Sequence, residues 1–368
     1  MKKVRRYDID WIRILVFDFL IIFHVGMFFN DWDWHIKNNQ TVGWLKYPMY
    51  FLSQWRIPIL FVVSGIGTRF ALSFRDGNQY IKERFTRLFI PLLIGIFVTV
   101  LPQVYLERLA DGSFEGNLFA FFPHFFEGIY PHGNFSWHHL WFLPYLLVMS
   151  LVGTPLFLVW RKEDNAFVGQ LQRGFEKSKW CIYLFVIPLF LIEVILGSQF
   201  PITHAFWGDW YALASYFLLF ISGFLLIRIG EPFWKSVHRL RWMTLLIGVI
   251  AFSLMMWGNK NGIDQMSAKA FLKTVNMWSW ILAIFGFAAQ YLNKKSAIVK
   301  YRNEAVYPFY IFHQAITISI GFWLMNHPMP IFWKFLIMVI GTFGGSWILM
   351  EIVKQVRFLR PLFGLKNK

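Results

Sequence analysis

Arg13 and His24 stand eleven residues apart in the apolar stretch DIDWIRILVFDFLIIFHVGMFFN at 8–30, which also carries Asp10 and Asp18. Each ionisable group costs about 2.5–3.5 kcal/mol at a bilayer centre, so four of them in one membrane-length stretch call for a function or a partner. At about 100° per residue, eleven residues make three turns plus roughly 20°, which puts Arg13 and His24 on one helix face about 16 Å apart along the axis. Asp10 lies about 60° from Arg13 and 40° from His24 on the same wheel, so the three can line one groove. Asp18 falls about 140° and 120° away and reads as a structural partner for another helix. A neutral imidazole near the outer surface suits a general base acting on a hydroxyl. The plainer alternatives are a histidine that hydrogen-bonds a neighbouring helix, and an Asp10–Arg13 pair that anchors the helix start.

Other polar residues recur inside apolar segments. Arg56 sits in FLSQWRIPILFVVSGIGTRFAL at 51–72. Once buried it needs a carboxylate, a carbonyl or a ligand, and Asp18 is a candidate by depth. Ser64, Gly65 and Gly67 allow close helix approach. Arg84 and Arg87, in KERFTRLFIPLLIG, are spaced to share a helix face. Two guanidinium forks suit phosphate groups, with inner-leaflet anchoring as the alternative. His138, His139 and Trp141 open the segment SWHHLWFLPYLL at a membrane interface, where aromatic residues are common. Adjacent residues diverge by about 100° on a helix and bind one ion poorly, so no metal site is expected. His313 and Gln314 fall in mid-segment in NEAVYPFYIFHQAI and should face the bundle interior. Glu193 is an isolated carboxylate with no assigned role. Gly-rich phosphate loops, H-E-x-x-H and G-x-S-x-G are all missing from the sequence.

The elements that position these residues follow from composition. The 368 residues are 57% hydrophobic and only 15% charged, with a mean hydropathy of +0.47. That profile predicts an all-α polytopic membrane protein, a single transmembrane domain over 1–368 with no separate soluble domain. About ten transmembrane helices are expected, near 11–29, 49–72, 88–106, 139–160, 181–198, 210–227, 242–258, 273–292, 305–325 and 331–351. With the N-terminus inside, 26 of the 36 Lys and Arg fall in inner segments and 7 in outer ones, with Arg13, Arg56 and Arg69 within spans. The asymmetry predicts both termini cytoplasmic and explains the net charge of +16 by topology and anionic lipid, not nucleic acid. One cysteine, Cys181, excludes an internal disulfide and a cysteine-based metal site. No cleavable signal peptide is evident, because the first apolar stretch is too long and runs into FFNDWDWH.

Taken in order, these stretches resemble the membrane-bound acyltransferase family 3. Arg13 to His24 matches that family's R-x10-H, and Arg84–Arg87 its R-x-x-R before the third helix. WRIPILFVVSG, SWHHLWFLPYLL and AVYPFYIFHQ fall in the family's order. WDWHIKN and LPQVYLERL are similar to its glucan-biosynthesis protein C-like branch, the succinyl-modifying one. The likeness covers 5–314.

The resemblance implies transfer of an acyl group, acetyl or succinyl, from cytoplasmic acyl-CoA to a hydroxyl of a glycan or other extracytoplasmic acceptor, in the cell (inner) membrane. His24 is then the catalytic histidine, and Arg13, Arg84 and Arg87 belong to the donor's path. Acyl-CoA is a co-substrate and no cofactor is bound. The family's frequent esterase-like soluble domain is missing. The coenzyme A phosphates would rest near Arg84 and Arg87 and its arm would thread a polar tunnel toward His24. Arg13 or Arg56 would stabilise developing negative charge or hold a succinyl carboxylate. The outer face around His139, Trp141 and the mid-membrane His313 would receive the acceptor. An acyl-histidine intermediate is the other chemical route. A homo-oligomer is compatible with this reading as well. A transporter or flippase of a lipid-linked glycan is the rival class, since charged groups inside a ten-span bundle suit it too; a sensory or scaffold protein with structural charges is the third.

Overall fold

A lipid-facing backbone has no water to bond, so each apolar segment must satisfy its own amides, and helices are the result. The computed structural model describes residues 5–262 and 265–366. Lys2, Lys3 and Lys368, counted among the inner charges, lie outside the described residues. No strand occurs among the described residues. The helices in order are α1 Tyr7–Phe29, α2 Lys46–Ala71, α3 Gly77–Ala110, α4 Leu118–His124, α5 Phe142–Trp160, α6 Ala166–Lys177, α7 Val186–Leu196, α8 Trp210–Ile229, α9 Glu231–Lys260, α10 Met266–Tyr291, α11 Ala297–Leu324, α12 Ile331–Gln355 and the short α13 Leu359–Leu362. A 3₁₀ turn, His138–Trp141, leads into α5, and another, Lys179–Phe185, leads into α7.

Nine helices among the described residues are long and apolar enough to cross a membrane. The tenth expected span, 305–325, lies in the 28-residue α11. It is long enough, but its His313, Gln314 and tyrosines lower its hydropathy below that of the other nine. Those same polar groups make α11 matter to the site.

Local chemistry explains the irregular points. α3 contains two π turns, Phe85–Phe89 and Ile96–Val100. Pro91 and Pro102 each follow them after one intervening residue and carry no N–H, so each removes a helical hydrogen bond to the carbonyl four residues back. For Pro91 that carbonyl is Arg87's, and the Tyr307 hydroxyl donates to it instead at 2.7 Å. α1 ends where its last carbonyls meet a cation. Lys37 Nζ donates to the carbonyls of Met27 and Asn30 at 2.6 Å each and of Trp32 at 2.8 Å. Burial lowers the Lys37 pKa to about 8, against the pull of Asp31 and Asp33.

By residue contacts the chain divides into two compact units. The first comprises Met1–Val16, Ser53–Glu83 and Tyr145–Val299; the second comprises Phe17–Leu52, Arg84–Pro144 and Lys300–Lys368. In the first unit α2 and α8 touch backbone to backbone. A Cβ on Gly65 would lie 1.9 Å from the Phe220 carbonyl oxygen, and one on Gly223 would lie 1.9 Å from that of Val62. Between membrane helices such close packing replaces the hydrophobic drive that water would supply. Gly65 is thus a helix-contact glycine, whereas Gly67 leaves room for a side chain: its Cβ would lie 3.9 Å from Arg13 Nη2. In the second unit, Val25, Phe28, Phe29 and Ile36 pack with Ile318, Leu324 and Met338, holding the end of α1 against α11 and α12.

Candidate active site

The second unit gathers three histidines. His24 comes from α1, His313 from α11 and His139 from the 3₁₀ turn before α5. His24 Nδ1 lies 2.8 Å from His313 Nε2. His313 Nδ1 in turn faces the Tyr310 carbonyl at 2.8 Å and the Phe309 carbonyl at 3.1 Å. A carbonyl only accepts, so His313 Nδ1 carries the proton. In neutral His313, Nε2 then accepts, and the proton between the rings belongs to His24 Nδ1. The tautomer of His24 follows: its lone pair is on Nε2, the atom a general base needs. The Trp34 ring stacks over His24 with centroids 6.4 Å apart.

His139 supports this pair from the side. Its ring meets that of His313 edge to face at 5.1 Å, and its Nε2 donates to the Ile311 carbonyl at 3.0 Å. The Tyr310 hydroxyl donates to the His139 carbonyl at 2.6 Å. His313 is fully buried and His139 nearly so. Trp141, on the same turn, is also buried, with its ring near Phe142. His138 turns away from its neighbour and stacks on His35 at 4.1 Å, so the two vicinal histidines do diverge. Gln314 is buried beside His313.

Arg84 and Arg87 belong to the second unit as well, on either side of the first π turn's start. Both are half-buried. Both guanidinium groups lie close enough to Tyr307 to act on its hydroxyl through charge. The helix between them is π and not α, so the α-helical spacing expected of them does not hold there.

Asp10, Arg13 and Arg56 belong to the first unit. Asp10 is engaged by Arg5 at 2.7 Å, and Arg13 stands farther off at 3.7 Å. The Asp10 charge is thus met at the helix start chiefly by Arg5, not by Arg13. Arg56 is 5% exposed and lies among Tyr216 and His204. The Asp18–Arg56 pairing inferred from depth is incorrect. Asp18 pairs with Arg302, because α11 starts at Ala297 and carries Arg302 within its first turns rather than in a loop. Glu193 is not isolated either: Lys273 pairs with it at 2.8 Å and the Tyr211 hydroxyl donates to it.

Beside Arg56 the first unit holds a closed polar knot. Asp209 is fully buried and accepts from the Tyr145 hydroxyl at 2.5 Å and the His204 amide at 3.0 Å. Burial drives the His204 pKa down to about 4, with Asp209 opposing and Arg56 reinforcing.

Sequence reasoning missed Trp34, His35 and Glu107 as neighbours of the histidines. The WDWHIKN stretch marks the first two, but nothing in their spacing tells which helix they meet.

The model of the acyltransferase domain family matches residues 6–351. "Glucans biosynthesis protein C" of Escherichia coli K12 is 24% identical over 377 residues, covering 98% of this chain and 95% of that protein. The protein of the same name from Salmonella typhimurium LT2 is 23% identical over 374 residues, with the same coverage. No solved structure matches the chain. A match across nearly the whole length, over an all-helical polytopic chain, makes this protein a membrane acyltransferase of the acyltransferase family 3, one that transfers groups other than aminoacyl groups.

Proposed function

We propose that this chain moves an acetyl or succinyl group from cytoplasmic acyl-CoA to a hydroxyl of an extracytoplasmic glycan, with His24 as general base. The observation that carries the reading is the hydrogen-bond chain from the Tyr310 carbonyl through His313 to His24, which leaves the His24 lone pair on Nε2. Nε2 takes the acceptor hydroxyl's proton as the oxygen attacks the thioester carbonyl. The C–S bond then breaks, the new ester forms, and the thiolate of coenzyme A takes the proton back from the imidazolium. The growing positive charge on His24 is shared toward His313, so the pair is oriented before the substrate arrives.

Arg84 and Arg87 hold the phosphates of coenzyme A in this proposal, and Arg13 keeps the place on the donor's path that the family likeness gives it. Trp34 offers an aromatic face beside the base for a sugar ring. The relatives' name makes a glucan the first acceptor to try. The membrane is the inner membrane, with both termini cytoplasmic; single cysteines placed in successive loops of a Cys181→Ser chain, labelled from each side of the membrane, test that topology.

The purified protein in detergent, given labelled acetyl- or succinyl-CoA and a glucan acceptor, should label the glucan. His24→Ala should abolish the label. Undiminished transfer by His24→Ala overturns the mechanism, and movement of a lipid-linked glycan without an acyl donor favours a flippase instead.

A further inference from the structure

A second polar cluster in the second unit has no part in acyl transfer. His35, in the segment after α1, Glu107 on α3 and His138 at the start of the 3₁₀ turn each present one potential ligand atom, and these atoms all lie within 4.8 Å of one another. His35 Nδ1 lies 2.8 Å from Glu107 Oε2, and the His35 and His138 rings are parallel at 4.1 Å. His138 is 8% exposed, and among the described residues neither ring nitrogen has a hydrogen-bond partner. A buried imidazole with two unsatisfied nitrogens is costly, and it is held here by a backbone with φ of 37°. Strain of that kind, in a residue other than glycine, persists where surroundings or a ligand impose it.

We propose that His35, Glu107 and His138 bind one divalent transition-metal ion of the Zn²⁺ class. Two imidazoles and a carboxylate form the three-ligand set that zinc takes with a fourth position left for water. Metal–ligand bonds of about 2.0–2.2 Å in a tetrahedral site set the ligand atoms roughly 3.4 Å apart, so His35 Nδ1 and Glu107 Oε2, now 2.8 Å apart, part slightly while the His138 nitrogen adjusts to meet the ion. The His35 and His138 rings, now parallel, tilt toward each other about their χ angles so that their in-plane lone pairs meet at the ion. The neighbours are arranged as supports. The Tyr130 hydroxyl donates to Glu107 Oε1 at 3.1 Å, leaving Oε2 for the ion. Arg108 approaches Oε1 at 3.6 Å, but its guanidinium is drawn off by Asn134 Oδ1 at 2.7 Å, the Gly133 carbonyl at 3.0 Å and Asp111 at 3.2 Å. On binding, the ion replaces the His35–Glu107 hydrogen bond and displaces the proton it used. The site ties three segments together next to Trp34 and His139, which flank the catalytic pair, but it does not depend on that pair's chemistry.

The test uses tag-free full-length protein in detergent, stripped with chelator and loaded with Zn²⁺ or Co²⁺. About one equivalent of Zn²⁺ should survive gel filtration, thermal stability should rise with Zn²⁺, and Co²⁺ should give visible ligand-field bands. Glu107→Gln and His138→Gln, monodisperse on gel filtration, should lose the equivalent, while His327→Gln, at an exposed histidine, should keep it. Absence of Co²⁺ bands and of retained Zn²⁺ in the unsubstituted protein overturns the proposal. So does unchanged stoichiometry in both ligand variants.

Discussion

The two units share charge pairs but differ in what surrounds their most buried polar groups. In the first, charges meet opposite charges or firm donors: Asp10 with Arg5, Glu193 with Lys273, Asp209 with the Tyr145 hydroxyl. Arg161 donates to the carbonyls of Leu72 and Arg75 at 3.2 and 2.8 Å. Such pairs resist breaking, because removing one member strands the other in a low-dielectric interior. In the second unit, imidazoles bond to imidazoles and to backbone carbonyls. A histidine chain satisfies burial with rings that can each donate from one nitrogen and accept at the other. The first unit uses polarity to fix helices; the second does so too, but also holds a chain of three histidines.

That contrast predicts which substitutions hurt activity and which hurt stability. The largest effect belongs to His24→Ala: transfer should fall about 10²–10⁴-fold, the usual worth of a general base, with little change in melting temperature. Wild-type turnover in that variant would erase the distinction between the units. Next comes His313→Ala, which removes the acceptor that fixes the His24 tautomer. The kcat should drop about 10- to 100-fold with KM for acyl-CoA nearly unchanged. His313→Gln, which still offers an acceptor oxygen, should recover part of the loss, and a Gln variant no more active than the Ala variant would reduce His313 to packing.

In the first unit Gly65→Ala should cost about 1–3 kcal/mol of stability, because its Cβ meets the Phe220 carbonyl. A fall in melting temperature with normal activity per folded molecule is the expected result. The smallest effect is a pH dependence. His204 has its pKa lowered to about 4 from 6.5 by burial, so the folded state binds its proton less readily than the unfolded chain. Its contribution is fully present above about pH 6.5 and is lost as pH falls toward 4. His204→Asn tolerates the φ of 59° and cannot titrate in this range. It should flatten the melting temperature against pH between those values while leaving transfer intact.

Much of this architecture is legible in the sequence, because an apolar run of spanning length has few alternatives to a helix in lipid. His24 and His313 stand out for the same reason: a polar side chain in such a run demands a partner. Their pairing does not stand out, since 289 residues separate them and no spacing rule connects α1 to α11. Asp18 shows the limit of depth as a guide. Depth selects Arg56, but helix position selects Arg302, whose helix begins earlier than its apolar core suggests. α9 misleads in the same way, starting at Glu231 where hydropathy begins at 242, because a helix continues through polar residues once it has left the apolar layer. The His35–Glu107–His138 cluster joins three separate segments and leaves no local pattern at all.

The two π turns of α3 have a consequence for how this chain can change. Each π turn is an α-helix with one residue too many. Deleting a single residue within Phe85–Phe89 would restore the α pattern and swing everything on one side of it by about 100°. Arg84 and Glu107 sit beyond opposite ends of the two π turns, so one lost codon would act as a rotation, not a shortening. It would turn the Arg84 end away from Tyr307, or carry Glu107 off His35, without touching either residue. In this helix the length of the sequence works as an angular setting.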